Sequence, residues 1–234
     1  MLFTAAGETL LRYPQAKAET SYTVPEGCTT LADWSFIGST ALEQINIDGG
    51  TAIGEDCFYY CTALKSITVP EGITELNGAV FAYCLSMEEA TLPSTIRKLG
   101  NHCFYSCAKL KKLELPDGLT TIGDQCFYNC VALLQMNLPK SITEIGEQAI
   151  GYYTPSDAKD NEAKEIDQLC VYNDGSEVVR KYMQHWRANT YKYWLIGGGI
   201  TVVVAGGIVT LIAVHQSRNK IRPTSRHASA TKKK

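Results

Sequence analysis

Hydrophobic positions recur along residues 36–150 at an interval of 23 residues. The interval connects Phe58, Phe81, Phe104 and Phe127, then Pro70, Pro93, Pro116 and Pro139, and also Cys61, Cys84, Cys107 and Cys130. Phe36 precedes Phe58 by 22 residues, and Ile150 follows Phe127 by 23. Self-similarity at this interval predicts a solenoid, in which each turn stacks on its neighbours.

One turn of the predicted solenoid can be interpreted from residues 64–84. Leu64, Ile67 and Val69 are spaced as in a short strand with one buried face, because the last two alternate with polar residues. Pro70 ends this strand, since proline has no N–H for a ladder. A second apolar pair then recurs in every turn, as Ile73 and Leu76, Ile96 and Leu99, Leu119 and Ile122, and Ile142 and Ile145.

Glycines follow the second apolar pair at Gly100, Gly123 and Gly146, and Asn77 takes this position in residues 70–92. We expect a left-handed backbone here, because asparagine tolerates positive φ better than most non-glycine residues do. The phenylalanine that comes next is expected to fill the core, each burial contributing about 1.5–3 kcal/mol. A single turn cannot bury its own apolar face, so stacked neighbours are required.

The turn motif resembles the BspA-type leucine-rich-repeat family, whose unit is similar to L-x-x-I-x-I-P followed by V-x-x-I-G-x-x-A-F-x-x-C-x-x-L. The resemblance runs from about Tyr22 to Ile150. It implies a leucine-rich-repeat solenoid, mostly β and curved, with five to six turns of 23 residues and one parallel sheet. It also implies proteins that act by adhesion at cell surfaces. Departures include Asp48 at the strand-ending proline and cysteine before phenylalanine at Cys57, Cys103 and Cys126.

Nine cysteines raise the question of metal, redox or disulfide chemistry. The C-x₃-C spacing differs from the C-x₂-C of zinc ribbons, and here it follows from the repeat. Cys61, Cys84, Cys107 and Cys130 are expected to form a column with a spacing of about 4.8 Å. Parallel Cβ vectors in successive turns disfavour a disulfide. The first interpretation is therefore buried free thiols, with disulfides or a metal or redox site as alternatives.

The repeats are flanked by an N-terminal segment, residues 1–21, that resembles the family's opening, and by residues 152–190. The latter begin as a charged excursion and continue with a predicted cap. In that cap Val171 and Tyr172 are strand-like, and Ser176 is placed to N-cap a helix. One helix face carries Val179, Tyr182, Met183 and Trp186. The repeats themselves are predicted to occupy residues 22–151.

Residues 194–214 contain 21 residues without a charge, which predicts one transmembrane helix. At about 1.5 Å per residue such a helix spans a hydrocarbon core of about 30 Å. Tyr191 and Tyr193 extend the predicted segment to 191–214 as an aromatic flank. A buried core helix is the alternative. Gly197, Thr201 and Ala205 lie four apart, which would permit a weak helix-mediated dimer.

Charge is distributed unevenly about the apolar segment. Residues 1–193 hold 15 Lys/Arg against 24 Asp/Glu, whereas residues 215–234 hold seven Lys/Arg and no acid. By the positive-inside rule the basic tail is predicted to be cytoplasmic and the repeats exoplasmic, on a single-pass membrane protein. Residues 1–17 lack a signal sequence, so we expect a longer reading frame or an excerpt; a tail anchor with a cytosolic body is the alternative. The acidic body argues against nucleic acid as a partner.

Catalytic chemistry has little support in the sequence, which predicts neither an enzyme nor a bound cofactor or metal. No nucleophile–base pair, phosphate loop or H-E-x-x-H motif is present. His102 is the one histidine within the repeats, and it occupies the slot that Asp56 and Gln125 hold in other turns. It is therefore predicted to be an exposed, variable position.

Binding is predicted on the exposed face of the sheet, where polar residues alternate with the buried ones. The predicted site residues are Gln44, Asn46, Ser66, Thr68, Glu89, Thr91, Lys112, Glu114, Gln135 and Asn137. The expected partner is an extracellular protein or a ligand on a host or microbial surface, bound in adhesion. The alternative is a structural or signalling subunit of the cell envelope that acts through its membrane helix and basic tail.

Overall fold

The structure is a computed structural model that describes residues 1–48, 51–133, 136–151 and 177–182, and the backbone of residues 202–205 and 208–211. The chain divides into two compact units, Met1–Met183 and Gln184–Lys234. The first unit contains the repeats and is a mostly-β solenoid. Its elements are short because each turn of 22 or 23 residues changes direction three times.

The strands of the first unit are two to four residues long. They are β1 (Leu2–Phe3), β2 (Thr9–Arg12), β3 (Ser21–Thr23), β4 (Thr30–Leu31), β5 (Gln44–Asn46), β6 (Ala52–Ile53), β7 (Ser66–Thr68), β8 (Glu75–Leu76), β9 (Glu89–Thr91), β10 (Lys98–Leu99), β11 (Lys112–Leu113), β12 (Thr121–Ile122), β13 (Phe127–Tyr128), β14 (Glu144–Ile145) and β15 (Ile150–Gly151). Residues 177–182 form helix α1.

The first row of strands contains β3, β5, β7, β9 and β11, and we call its outer side the strand face. Neighbouring strands are parallel and pair one repeat apart, for example Ile67 with Ala90. The row is divided into β3–β5 and β7–β9–β11, which corrects the expectation of one parallel sheet. The division falls after β5, in the turn that is one residue shorter and has Asp48 at the proline position.

A second row of parallel strands follows the turn after each proline. It runs as β2–β4–β6 and as β8–β10–β12–β14, with β1 antiparallel to β2 at the N-terminal end. Leu76, Leu99 and Ile122 are fully buried in this row. The second apolar pair of each repeat therefore contributes a strand as well as core side chains.

A third row is formed mainly by tight turns, and we call its outer side the third face (residues 34–38, 56–60, 79–83, 102–106 and 125–129). Alternate backbone N–H groups donate to the next turn, as Ala79, Phe81 and Tyr83 do to the carbonyls of residues 101, 103 and 105. The distances in that turn are 2.7–2.8 Å. These bonds satisfy backbone N–H and C=O groups of successive turns, although the segments are not extended strands.

A column of aromatic rings runs through the interior, as the repeat period predicts. Phe36, Phe58, Phe81, Phe104 and Phe127 stack with neighbouring ring centroids 5.1–5.6 Å apart. Tyr13 extends this column at the N-terminal end, 5.0 Å from Phe36. These rings are at most 1% exposed, so each turn completes the burial of its neighbours.

The repeated glycines owe their presence to close packing, and the prediction of positive φ at Gly100, Gly123, Gly146 and Asn77 is wrong. A Cβ at Gly123 would lie 2.6 Å from the backbone N of Asn101, and one at Gly146 would lie 2.4 Å from that of Asp124. The non-glycine residues with positive φ lie instead at two other slots of the repeat, which begin and end the segments of the third face. The first slot holds Trp34, Asp56, Ala79, His102, Gln125 and Gln148, and the second holds Gly38, Tyr60, Tyr83, Ser106 and Asn129.

Helix α1 packs against the last described turn. Val179 is 1% exposed. The Tyr182 hydroxyl accepts a hydrogen bond from the Ile150 N–H at 3.0 Å and donates one to the Ile150 carbonyl at 3.4 Å. These contacts confirm a helix over 177–182, while Ser176, Met183, Trp186 and the predicted strand at 171–172 lie outside the described residues.

The second unit contains an antiparallel ribbon, β16 (Val202–Ala205) and β17 (Ile208–Leu211), in which Val202 pairs with Leu211. The predicted membrane helix over 194–214 is therefore wrong for these eight residues. β-Branched residues flank the dipeptide Gly206-Gly207, a sequence that favours a hairpin. Within the part of the chain that the structure describes, no helix has the length and apolar character needed to cross a bilayer. The rest of that segment and the tail at 215–234 lie outside it.

Candidate ligand-binding faces

The strand face presents the polar ladder that the sequence predicts. In β5, β7 and β9 the middle residue is buried and the two outer residues are exposed, because successive side chains of a strand point to opposite sides. The exposed members are Gln44, Asn46, Ser66, Thr68, Glu89, Thr91, Lys112, Glu114 and Asn137. Gln135 lies outside the described residues. The solenoid thus brings nine of the ten predicted residues to one surface.

Charges of opposite sign alternate along the strand face. Lys112 pairs with Glu89 at 2.8 Å, and Lys111 pairs with Glu88 at 3.0 Å. Lys65 likewise pairs with Glu43 of the preceding turn. The hydrogen bond from Lys111 lowers the pKa of Glu88, and the hydrogen bond to Glu89 raises the pKa of Lys112. Exposed pairs of this kind contribute little to stability, so their charges remain available to a ligand.

Two depressions lie on the strand face. The larger has a volume of about 520 Å³ and is lined by Gln44, Ile45, Asn46, Ile47, Asp48, Ser66 and Thr68. It lies where the first row of strands divides. The smaller, of about 190 Å³, is lined by Glu89, Ala90, Thr91, Leu92, Lys112 and Glu114. Most of the lining side chains are amides, hydroxyls and charged groups, so this face suits polar recognition.

The third face carries an aromatic strip that the sequence analysis missed. Its members are Tyr59, Tyr60, Tyr83, Tyr105 and Tyr128. Tyr83 lies 5.5 Å from Tyr59 and 5.4 Å from Tyr105, measured between ring centroids. In this turn Ala82 stands where the other turns have a tyrosine after the buried phenylalanine. The Tyr83 ring therefore provides the contact between the tyrosines of the turns before and after it. The signal was present in the sequence, because tyrosine directly follows the buried phenylalanine in C-F-Y-x-C.

Trp34 stands beside this strip in the first turn and is 54% exposed. Its indole N–H donates to Asp56 Oδ2 at 3.0 Å, which fixes the ring against the next turn. The same slot holds His102, whose Nε2 lies 3.1 Å from Gln125 Oε1. His102 is exposed, as predicted for a variable position.

The cysteine column is made of buried free thiols, which confirms the first interpretation. Each thiol donates to the phenylalanine carbonyl of an earlier turn, with Cys107 Sγ 3.1 Å from Phe81 O and Cys130 Sγ 3.1 Å from Phe104 O. All eight described cysteines are free and buried. Burial raises the pKa of the Cys61 thiol to about 12, and it raises the pKa of Cys84 and Cys107 well above the ordinary value.

Within the described ranges, no group of three or more His, Cys, Asp or Glu side chains is arranged so that it could hold a metal ion. The protonated thiols lie inside the core and are poor nucleophiles and poor ligands in that state. The chemistry available at both surfaces is therefore hydrogen bonding, ion pairing and aromatic contact.

The family model described as BspA type Leucine rich repeat region matches residues 29–156 in six copies. This range is more than half of the chain and contains the strands from β4 to β15. The fold is accordingly a mostly-β solenoid of about six turns. No curated protein matches the chain.

Solved structures similar to the chain are bacterial leucine-rich repeat proteins. One from Bacteroides ovatus is 30% identical with a TM-score of 0.53, and the match covers 56% of this chain and 34% of that one. A leucine rich cell surface protein from Faecalibacterium prausnitzii is 26% identical with a TM-score of 0.52, covering 63% and 36%. A leucine rich repeat protein from T. pallidum, 23% identical with a TM-score of 0.53 and coverage of 64% and 78%, shows the fold alone.

Proposed function

Because the chain belongs to the BspA-type leucine-rich repeat family, whose members are generally protein-binding or adhesion-type repeat proteins, we propose that it is a cell-surface adhesion protein. Its strand face binds an extracellular protein or a ligand on a host or microbial surface. The observation that carries this proposal is the alignment of nine exposed polar residues over five turns on one side of the solenoid.

The character of the strand face supports polar and specific recognition of modest affinity. Amide, hydroxyl and charged groups line both depressions, and charge alternates between Glu89 and Lys112. Aromatic anchors usually dominate the energy of protein interfaces, and the predicted site residues include none. Affinity is therefore built from many weak contacts repeated along the turns.

The proposed location is the outer surface of the cell membrane, with the repeats outside and the basic tail in the cytoplasm. The similar protein from Faecalibacterium prausnitzii is described as a cell surface protein. The asymmetry of charge supplies the other support, because an acidic body at residues 1–193 is followed by seven Lys/Arg without an acid at residues 215–234. A leucine-rich repeat solenoid is typically a non-enzymatic scaffold for protein interaction, and the proposal includes no catalytic step.

Charge inversion on the strand face tests the proposal. The full chain is reconstituted in liposomes, and adhesion to immobilised epithelial cells and to immobilised bacteria is measured. The double variant E89K/K112E keeps an ion pair between the two turns while reversing its polarity, so the fold is preserved. We expect adhesion to fall at least about fivefold, because like charges then oppose each other across the interface.

The matched control is the pair E75K/K98E, which reverses the Lys98–Glu75 contact of the second row of strands. Adhesion of this control is expected to equal that of the native chain. Unchanged adhesion of E89K/K112E, or an equal loss in both double variants, would contradict a binding role for the strand face.

The second candidate function is that of an envelope subunit acting through residues 215–234. Seven cations without an acid favour contact with anionic lipid. Deletion of 215–234 separates the two functions when surface display is measured alongside adhesion. Retained adhesion by displayed protein supports the strand-face proposal, whereas lost adhesion with normal display supports the second candidate.

A further inference from the structure

The exposed aromatic side chains of the third face are concentrated in its first two turns. Trp34 is 54% exposed and Tyr60 is 47% exposed. Backbone hydrogen bonds join their segments, from the Trp34 N–H to the Glu55 carbonyl at 3.0 Å and from the Gly38 N–H to the Tyr59 carbonyl at 2.8 Å. The two rings therefore project from the same face of adjacent turns.

Both rings occupy positions that the backbone makes unfavourable for bulky residues. Trp34 has φ of 57° and Tyr60 has φ of 61°. Later turns fill the Trp34 slot with Gln125 or Gln148, and they fill the Tyr60 slot with Asn129. Such residues accept a left-handed backbone more readily than a large aromatic one. Folding of the solenoid therefore does not require an aromatic residue in either slot.

Carboxylates lie beside Trp34 and along its backbone segment. Asp56 Oδ2 accepts the hydrogen bond of the Trp34 indole, and Asp33 Oδ1 accepts one from the Glu55 backbone N–H at 2.8 Å. Glu55 is itself exposed. Arg12 lies at the same place, and its Nη1 donates to the Trp34 carbonyl at 2.6 Å. The three carboxylates outnumber this guanidinium, which favours a negative potential at this edge.

The aromatic strip continues along the later turns, whereas the acidic slot is interrupted. Tyr83 and Tyr105 extend the aromatic strip, with ring centroids 5.4 Å apart. In the slot before the positive-φ residue, Gly78 and Asn101 follow Asp33 and Glu55, and acids return only at Asp124 and Glu147. An extended polypeptide running along the solenoid would thus meet acidic and aromatic side chains together in the first two turns, and mainly aromatic side chains in the next two.

We propose that this aromatic–acid edge, defined by Trp34, Tyr60, Asp33, Glu55 and Asp56, binds a Lys/Arg-rich segment of a partner protein. Guanidinium and ammonium groups are attracted to the faces of tryptophan and tyrosine, and guanidinium forms strong hydrogen bonds with carboxylates. The excess of acid over base in residues 1–193 attracts the same partner at longer range. The edge is distinct from the strand face, so the two surfaces accept different ligands.

Two substitutions that conserve charge test the proposal. W34Q and Y60N introduce residues that other turns already carry in the same slots, and neither alters the net charge. Binding of a fluorescein-labelled deca-arginine peptide to the full chain in detergent micelles is followed by fluorescence anisotropy at about 0.15 M salt. We expect each variant to weaken binding at least about threefold, with a thermal unfolding temperature equal to or above that of the native chain.

Controls distinguish the edge from bulk electrostatic attraction. E89Q removes one charge from the strand face and is expected to change the affinity for deca-arginine less than D56Q does. Equal effects of E89Q and D56Q, with no effect of W34Q and Y60N, would overturn the proposal. The absence of deca-arginine binding to the native chain would also overturn it. A third contrary result is that the native chain binds neutral glucose oligosaccharides and that W34Q abolishes this binding but leaves deca-arginine binding intact.

Discussion

Single residues in this solenoid serve a neighbouring turn as much as their own. Each thiol of the column Cys61, Cys84, Cys107 and Cys130 hydrogen-bonds to a carbonyl of an earlier turn, 25 or 26 residues away. The sequence predicted the burial of these thiols, because their period equals that of the phenylalanines. Their hydrogen-bond partners were not predictable from the period, since the partner depends on how far the chain advances in one turn.

Alkaline pH is expected to destabilise the protein through the buried thiols. Burial raises the pKa of Cys61 to about 12 from the ordinary thiol value of 9.0, and it raises the pKa of Cys84 and Cys107 well above that value. A pKa raised in the folded state gives stability that is complete below the unfolded value and is lost as pH rises above it. The free energy of unfolding in urea should therefore fall between about pH 8 and pH 10.5.

The variant C84A provides the comparison for this pH dependence. It removes one titrating thiol, so the loss of stability between the two pH values should be smaller than in the native chain. A native free energy of unfolding that stays constant from about pH 8 to pH 10.5 would contradict the burial of protonated thiols.

At the scale of the elements, the sequence indicated where each turn changes direction but not by which backbone geometry. The strand ended by proline was predicted and forms the first row, whereas the second apolar pair was recognised without a strand and forms a second row. The recurring glycine was attributed to positive φ, whereas it permits backbones of adjacent turns to approach closely. A repeated glycine in a sequence is compatible with either cause. Similarly, hydropathy at 202–211 does not distinguish an apolar helix from the apolar strands found there.

Two substitutions of Gly123 distinguish close packing from backbone conformation. A Cβ at this position would lie 2.4 Å from Asn101 Oδ1 and 2.6 Å from Asn101 N. G123A should lower the free energy of unfolding by about 1–3 kcal/mol, and G123N should lower it at least as much because its side chain is larger. Urea denaturation provides the measurement. A milder effect of asparagine than of alanine would indicate that a left-handed backbone is the cause after all.

Over the whole first unit, the inner sides of the three rows form the core, and the outer sides are available for recognition. Their inner sides meet in one aromatic column, and two of their outer sides carry distinct chemistry. The polar ladder was predictable because alternation in a strand assigns alternate residues to opposite sides. The column of Tyr59, Tyr105 and Tyr128 is visible in the sequence, but Ala82 interrupts it. The continuity of the strip was missed because Tyr83 restores it from a different position of its turn, through ring contacts that the repeat period does not specify.

The proposal that the strand face is where an adhesion ligand binds is tested most directly by photo-crosslinking on intact cells. The amino acid p-benzoylphenylalanine is introduced at Thr68 of the strand face or at Thr74, an exposed residue just before β8 in the same turn. The proposal predicts ligand-dependent crosslinks to an extracellular protein from position 68 and none from position 74. Crosslinks from position 74 without any from position 68 would contradict it.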